Sequence, residues 1–194
     1  MKNVNNANKE KNKISGSSQL RVTVALALLA AISIVCGKYL AIRAGDVMRF
    51  SLENMPIIFA SVAFGPWLGA LVAAVADILG CVLVGYEINP VVTLGAVALA
   101  ITAGLAYRAV VRTRVKKSVA IVIATVVGHV VGSVVIKTVG LSAYYSYPFV
   151  ILMLWRLLNY VIVGALDATV LVILFRNHAL QRSLDRIKNG GCAK

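Results

Sequence analysis

The sequence predicts an all-α integral membrane protein: a bundle of six transmembrane helices with both ends in the cytoplasm. Three observations carry that prediction. Of 194 residues, 60% are hydrophobic and only 14% are charged, too little polar surface for a soluble domain of this size. Several apolar runs reach the roughly 20 residues that a helix needs to cross the hydrocarbon core. The formal net charge is +13, and the basic residues cluster between alternate apolar runs, as the positive-inside rule requires. A nucleic-acid-binding protein could be as basic, but it would not carry long uncharged runs.

The first 18 residues, MKNVNNANKEKNKISGSS, are polar and rich in Lys and Asn. They read as a disordered basic cytoplasmic tail, since they cannot bury enough apolar surface to fold. A secretory signal would place its apolar run nearer the start and close it with a small-residue cleavage site. Residues 19–176 form the membrane domain, and 177–194 read as a basic cytoplasmic C-terminal tail.

Span one is Leu20–Ile42, span four Val91–Val111, span five Ser118–Val139 and span six Pro148–Phe175. Between them, Met55 to Val84 is one long apolar run interrupted only by Asp77. Gly65-Pro66 is a strong helix breaker inside it. Breaking there gives a short span two, Phe50–Phe64, and a span three, Pro66–Val84. Charge supports the break. With it, fifteen of the 20 basic residues fall in three cytoplasmic clusters: Lys2 to Arg21, Arg108 to Lys117, and Arg176 to Lys194. Without it, the 108–117 cluster would lie outside. The remaining five, Lys38, Arg43, Arg49, Lys137 and Arg156, fall in the outer half.

An ionised group at the bilayer centre costs about 2.5–3.5 kcal/mol on insertion scales. The intramembrane polar residues therefore merit a reason. In span three, Gly65, Gly69, Ala73 and Asp77 recur every four residues, a small-residue stripe that turns Asp77 into the bundle. In span five, Thr125, His129, Ser133 and Lys137 form a polar stripe; in span six, Arg156, Tyr160, Gly164 and Asp167 share a face flanked by Asn159. One reading is a network holding the bundle, with Asp77 paired to Lys137 or Arg156. The other is an outward-facing polar cavity built by Asp77, Lys137, Arg156 and Asn159. His129 and Asp167 read as structural. The outer connections add Arg49, Glu53 and Asn54 in the first, Tyr86 and Asn89 in the second, and Tyr144, Tyr145 and Tyr147 in the third. Tyr at a membrane boundary is equally an interfacial belt.

Other chemistry lacks its motifs. The sequence carries no GxxxxGK[ST], HExxH or GxSxG, and Cys36, Cys81 and Cys192 have no metal or redox spacing. An enzyme is not expected, nor any metal, cofactor or nucleic-acid partner.

Three stretches resemble the substrate-binding (S) components of energy-coupling factor (ECF) vitamin transporters, and among them the folate family. VALALLAAISIVCGKYL carries an AxxxA spacing at Ala27 and Ala31. MRFSLENMPIIFASVAFGPWLGALVAAVADILG is similar to the family's Arg-containing lead-in, Pro-initiated short helix, Gly-Pro break and helix ending in Asp-x-x-Gly. INPVVTLGAVALAITAGLAYR is similar to the fourth helix, with Thr93 near its start, although the PVVT wording departs from the folate type. The resemblance covers residues 20–112 most clearly. It implies a membrane-embedded vitamin-binding subunit that works with a transmembrane coupling subunit and two cytoplasmic ATPases. Ala27 and Ala31 would dock on the coupling subunit.

Folate suits these residues physically. A carboxylate can accept a paired hydrogen bond from a pterin edge, and Asp77 is the candidate. Arg49, Lys137 or Arg156 could meet the glutamate tail, and Tyr86, Tyr145 or Trp155 could stack on the ring. The alternatives are an S component for pantothenate, queuosine or riboflavin, or a small membrane protein without a transport role.

Overall fold

The structure is a computed structural model that describes residues 2–44, 48–145 and 149–188. Of residues 2–17, 43–44, 48–49, 141, 143–145 and 151–152 it describes the backbone alone. Helix α1 (Lys2–Ile34) begins within the segment read above as a tail and ends in a π-helical turn, Val35–Tyr39. A short antiparallel hairpin follows, β1 (Ile42–Ala44) paired with β2 (Met48–Phe50), Arg43 opposite Arg49. Then come α2 (Asn54–Phe64), α3 (Pro66–Val84) and α4 (Pro90–Arg112). One long helix is built of α5 (Lys117–Gly128), a π-helical stretch His129–Ile136, and α6 (Lys137–Tyr145). The last two helices are α7 (Phe149–Arg176) and α8 (His178–Lys188).

Among the described residues five segments are long and apolar enough to cross a bilayer: Ser18–Tyr39, Pro66–Val84, Pro90–Arg112, Lys117–Gly140 and Met153–Arg176. Their outward faces are apolar, as lipid demands. In α1, Leu26, Ala30 and Ser33 turn inward, while Leu20, Val24, Leu28 and Ile32 face out, the period of a helix with one buried face.

The sixth crossing differs from the span read from sequence. Phe50 belongs to β2, and helix starts only at Asn54. Eleven residues give about 16 Å of helix, half of a hydrocarbon core. The short helix is tolerated because protein surrounds it: α2 packs against α1, α3, α4, α5 and α7, and Ile57, Ile58, Phe59 and Ala60 are all buried. Its lower end is cytoplasmic. The Arg108 guanidinium lies at Gly65 and the Lys188 ammonium stands 5.9 Å from the Phe64 ring centroid. The missing length is therefore at the outer side, above Asn54. The corner between α2 and α3 is a single residue, Gly65, at φ 113°, a conformation that L side chains rarely adopt. Pro66 opens α3 at a position where its missing N–H costs nothing.

The C-terminal stretch contains a helix that the sequence reading treats only as tail. Along α8, Leu180 and Leu184 face the bundle while Arg182, Asp185 and Arg186 face out, and the helix packs on α1 and α7.

Candidate functional site

The space above α2 is filled with polar side chains. Asn54, at the first turn of α2, is 2% exposed, and its Oδ1 has no hydrogen-bond partner among the described residues. Around it stand Ser33 and Lys38 from α1 and its π-turn, Glu53 preceding α2, and Asp77 from α3. Together with Ile57 and Ala96 they line a cavity of about 20 Å³. Thr93 of α4 donates from Oγ1 to Asp77 Oδ2 at 2.6 Å. Ser33 Oγ donates to the Glu53 carbonyl at 2.7 Å, which ties α1 to the start of α2. Lys38 Nζ donates to Cys81 Sγ at 3.5 Å and stands 5.6 Å from the Tyr86 ring centroid.

The chamber continues toward α5–α7. Lys137 is 4% exposed and its Nζ lies 3.8 Å from Glu53 Oε1. One turn earlier, the Ser133 carbonyl accepts from Arg156 Nη1 at 3.0 Å. Ser133 Oγ and Thr138 Oγ1 are buried with no hydrogen-bond partner among the described residues, and such groups are rare unless something completes them. Asn159 is buried on α7.

Backbone irregularity and small residues make the room. The two π-helical stretches both border the chamber, one containing Lys38 and the other leading into Lys137; wide turns of this kind are frequent at functional sites. A Cβ at Gly95 would lie 2.5 Å from Lys137 Cγ, and one at Gly80 would lie 2.8 Å from Lys38 Cε. Each long cation therefore passes over a glycine.

The structure sorts the residues singled out from sequence. Glu53, Asn54, Asp77, Thr93 and Lys137 come together. The expected partnership of Asp77 with Lys137 or Arg156 does not form: Asp77 takes Thr93, Lys137 takes Glu53, and Arg156 takes the Ser133 carbonyl. α3 packs beside α4, which makes Thr93 the neighbour within reach. Asn89 is an N-cap, its Oδ1 accepting from Val91 N at 3.0 Å. Tyr86 sits at the outer end of α3 beside Lys38. Trp155 is 44% exposed and is not among the residues lining the cavity above α2. The side chains of Arg49 and Tyr145 lie outside the described residues, as do those of Tyr144 and Tyr147; the backbone of Arg49 is in β2, which packs against α7. Ser33, Lys38 and Thr138 are chamber residues that the sequence reading does not assign to the site. Among the described residues no group of three His, Cys, Asp or Glu is placed to hold a metal ion.

A second polar contact lies deeper. His129 Nε2 and Asp167 Oδ2 are 3.1 Å apart, both buried, with the Tyr160 ring 5.3 Å from the imidazole. This pair joins α7 to the π-helical stretch.

The fold is shared with solved structures. The S component of a bacterial ECF transporter superposes with a TM-score of 0.64 at 22% identity, covering 87% of this chain and 99% of that one. The S component for biotin from an ECF-type ABC transporter gives 0.65 at 15% identity, covering 84% and 95%. Among curated proteins none matches the sequence significantly. Residues 21–175 match the family described as "ECF transporter, substrate-specific component". The chain belongs to that family: it is a multi-pass membrane protein, the substrate-binding component of an ECF-type importer rather than an enzyme.

Proposed function

We propose that the chamber above α2 captures a vitamin from the outer side of the membrane, and that the vitamin is folate. The observation that carries this reading is a polar site in which Asp77 and Lys38 line one cavity with Glu53 and Asn54, while the Lys137 ammonium stands 3.8 Å from Glu53. A pterin edge suits the carboxylate, and a glutamate tail suits the cations. The cavity is about 20 Å³, whereas pockets for ligands of this size run to about 300–1,000 Å³. Binding therefore requires opening, and the β1–β2 hairpin over the outer end is the segment to move. Tyr86 at the rim, and Arg49 and Tyr145 in the outer connections, are candidates to close over the ligand. Arg156 and Asn159 form the α7 wall, and Thr93 and Asn89 hold the top of α4 in place.

The chain would deliver its ligand by pairing with a transmembrane coupling subunit and two cytoplasmic ATPases. Ala27 and Ala31 are exposed on α1, and Ala27 borders an apolar groove between α1 and α3 lined by Val22, Leu26, Ala30, Leu68 and Leu71. A partner helix can approach closely over such small residues. The positive clusters at 2–21, 108–117 and 176–194 support a cytoplasmic side for both termini and for the end of α1 nearest this groove.

Purification in mild detergent followed by mass spectrometry of the bound small molecule tests the reading. Folate is the expected mass. Biotin, pantothenate, queuosine or riboflavin would keep the transport role and change the vitamin. A chain that binds none of these and co-purifies with no ATPase would overturn it.

A further inference from the structure

The apolar groove between α1 and α3 ends at a cation. The groove, about 710 Å³, runs from Ser18 to Ala30 along α1. Twelve residues of helix rise about 18 Å, close to the depth of one leaflet, about 15 Å or half of the hydrocarbon core. The groove lies in the inner leaflet, since it follows the cytoplasmic ends of both helices. Trp67, 76% exposed beside Leu68, marks the headgroup level there. At the inner mouth stands Lys188 of α8. The same lysine lines a second cavity, about 260 Å³, with Lys117 and Ser118 at the start of α5 and Gln181 and Asp185 of α8. The apolar groove and the polar cavity therefore meet at one ammonium. Lys188 rests against the Phe64 ring, and among the described residues neither it nor Lys117 forms an ion pair, although Asp185 borders the same cavity. Gln181 Nε2 donates to the Phe175 carbonyl, which folds α8 back under the bundle and holds Lys188 at the junction. The surroundings carry the same sign: the three cytoplasmic clusters hold fifteen basic residues and two acidic ones, Glu10 and Asp185.

We infer that this junction is a site for an anionic phospholipid, with an acyl chain in the groove and the phosphate at Lys188 and Lys117. A groove one leaflet deep suits the tail of an inner-leaflet lipid. Two unpaired ammonium groups suit a phosphodiester, and basic pockets between helices on the cytoplasmic side suit anionic headgroups. Asp185 selects among them. Its carboxylate repels a second negative charge and accepts from hydroxyls, so a glycerol headgroup fits better than a phosphate monoester. Phosphatidylglycerol combines the tail, the single charge and the hydroxyls. The site lies at the opposite end of the bundle from the chamber above α2, and it does not depend on which vitamin binds there. It does share its groove with the proposed docking of the coupling subunit. In that one respect it rests on the docking reading: the lipid holds the groove in the isolated chain and leaves when the coupling subunit arrives.

The test is native mass spectrometry of the purified full-length chain in detergent with equal amounts of phosphatidylglycerol and phosphatidylcholine of the same acyl chains. Phosphatidylglycerol should be retained about fivefold or more over phosphatidylcholine. Lys117→Gln with Lys188→Gln should remove the preference, and Lys117→Arg with Lys188→Arg should keep it. Arg182→Gln with Arg186→Gln takes the same charge from the outer face of α8 and should leave the preference in place. All four positions are exposed, so the fold is not at stake. Equal losses in the two Gln pairs would mean diffuse attraction to a basic surface and overturn the inference. A second arm separates lipid from free anion. Phosphatidylglycerol at about ten times its half-saturating concentration should raise Tm by about 3–5 °C, and inorganic phosphate or glycerol 1-phosphate should not. Equal shifts would put the anion alone in the polar cavity and overturn the part given to the groove. The two readings fail separately. Lipid retained in the complex with coupling subunit and ATPases supports the lipid site and moves docking to another face. An isolated chain that retains both lipids equally sinks the lipid site and leaves docking untouched.

Discussion

Thr93 on α4 donates its hydroxyl to the Asp77 carboxylate on α3 across 2.6 Å. The bond occupies one oxygen of Asp77 and fixes the orientation of the other. An oriented carboxylate is what a pterin edge needs, since two acceptor oxygens must meet two donors. Asp77→Asn replaces one acceptor by a donor. Hydrogen bonds to charged groups contribute about 1.5–3 kcal/mol, so folate affinity should fall by about 10–100-fold. Thr93→Val leaves the charge and removes the orienting bond, and should cost less affinity than Asp77→Asn. Titration calorimetry on both variants checks this. Unchanged affinity in Asp77→Asn would remove the carboxylate from recognition.

Gly132 and Gly95 set the distance between the π-helical stretch and α4. A Cβ at Gly132 would lie 2.5 Å from the Gly95 carbonyl oxygen, and backbone cannot step aside cheaply. Gly132→Ala should therefore destabilise the chain by about 1–3 kcal/mol, the usual cost of overpacking. Gly95→Ala should do the same and in addition push Lys137, weakening ligand binding. Gly85 is a control of another kind: it ends α3 at φ 71° with open space around it. There the cost is conformational alone, about 1–2 kcal/mol, with ligand affinity retained. Thermal unfolding together with ligand titration separates the two classes.

Local chemistry made some of this legible in the sequence, and tertiary neighbourhood hid the rest. The α2–α3 corner is readable because only glycine adopts the Gly65 conformation comfortably and Pro66 suits a first helical turn. The small residues Gly69 and Ala73 turn that face of α3 inward, and Asp77 with them. The partner of Asp77 was not readable. Which helix lies beside α3 is decided by packing, so Thr93 takes the place expected of Lys137 or Arg156. Lys38 escaped because the π-turn at Val35–Tyr39 breaks the helical period that projects side chains from sequence. Asn89 carries a readable signal of a different role, since an Asn directly before Pro marks a helix cap. The alternation of Leu180 and Leu184 with charged residues in α8 is also visible in sequence, but the segment's basic charge masks it.

His129 and Asp167 hold α5–α7 together in the low-dielectric interior. Asp167 Oδ1 and His129 Nδ1 have no other hydrogen-bond partner among the described residues, so each group relies on the other. Removing one partner of a buried pair strands the second and costs about 3–5 kcal/mol, whereas replacing both with apolar groups costs far less. His129→Leu and Asp167→Leu should each lower Tm sharply, and the double substitution should recover part of the loss. Fluorescence-detected unfolding in detergent reads this. Additive losses in the double variant would show that the two residues act independently.

Ala27 and Ala31 face outward on α1, so their substitution should spare the fold and strike assembly. Neither belongs to the buried core, and large side chains there project from the bundle. Ala27→Trp with Ala31→Trp should leave Tm and ligand affinity near those of the parent chain, because the chamber is lined by Ser33 and Lys38 and not by either alanine. A helix that packs over small residues depends on close backbone approach, and two indoles hold it off. Co-expression with a coupling subunit and ATPases, followed by affinity purification, should return the variant alone and the parent in complex. Uptake in cells should fall with complex formation while binding to the isolated protein persists. If the variant still returns the complex, docking uses another face, and the groove between α1 and α3 loses its assigned role.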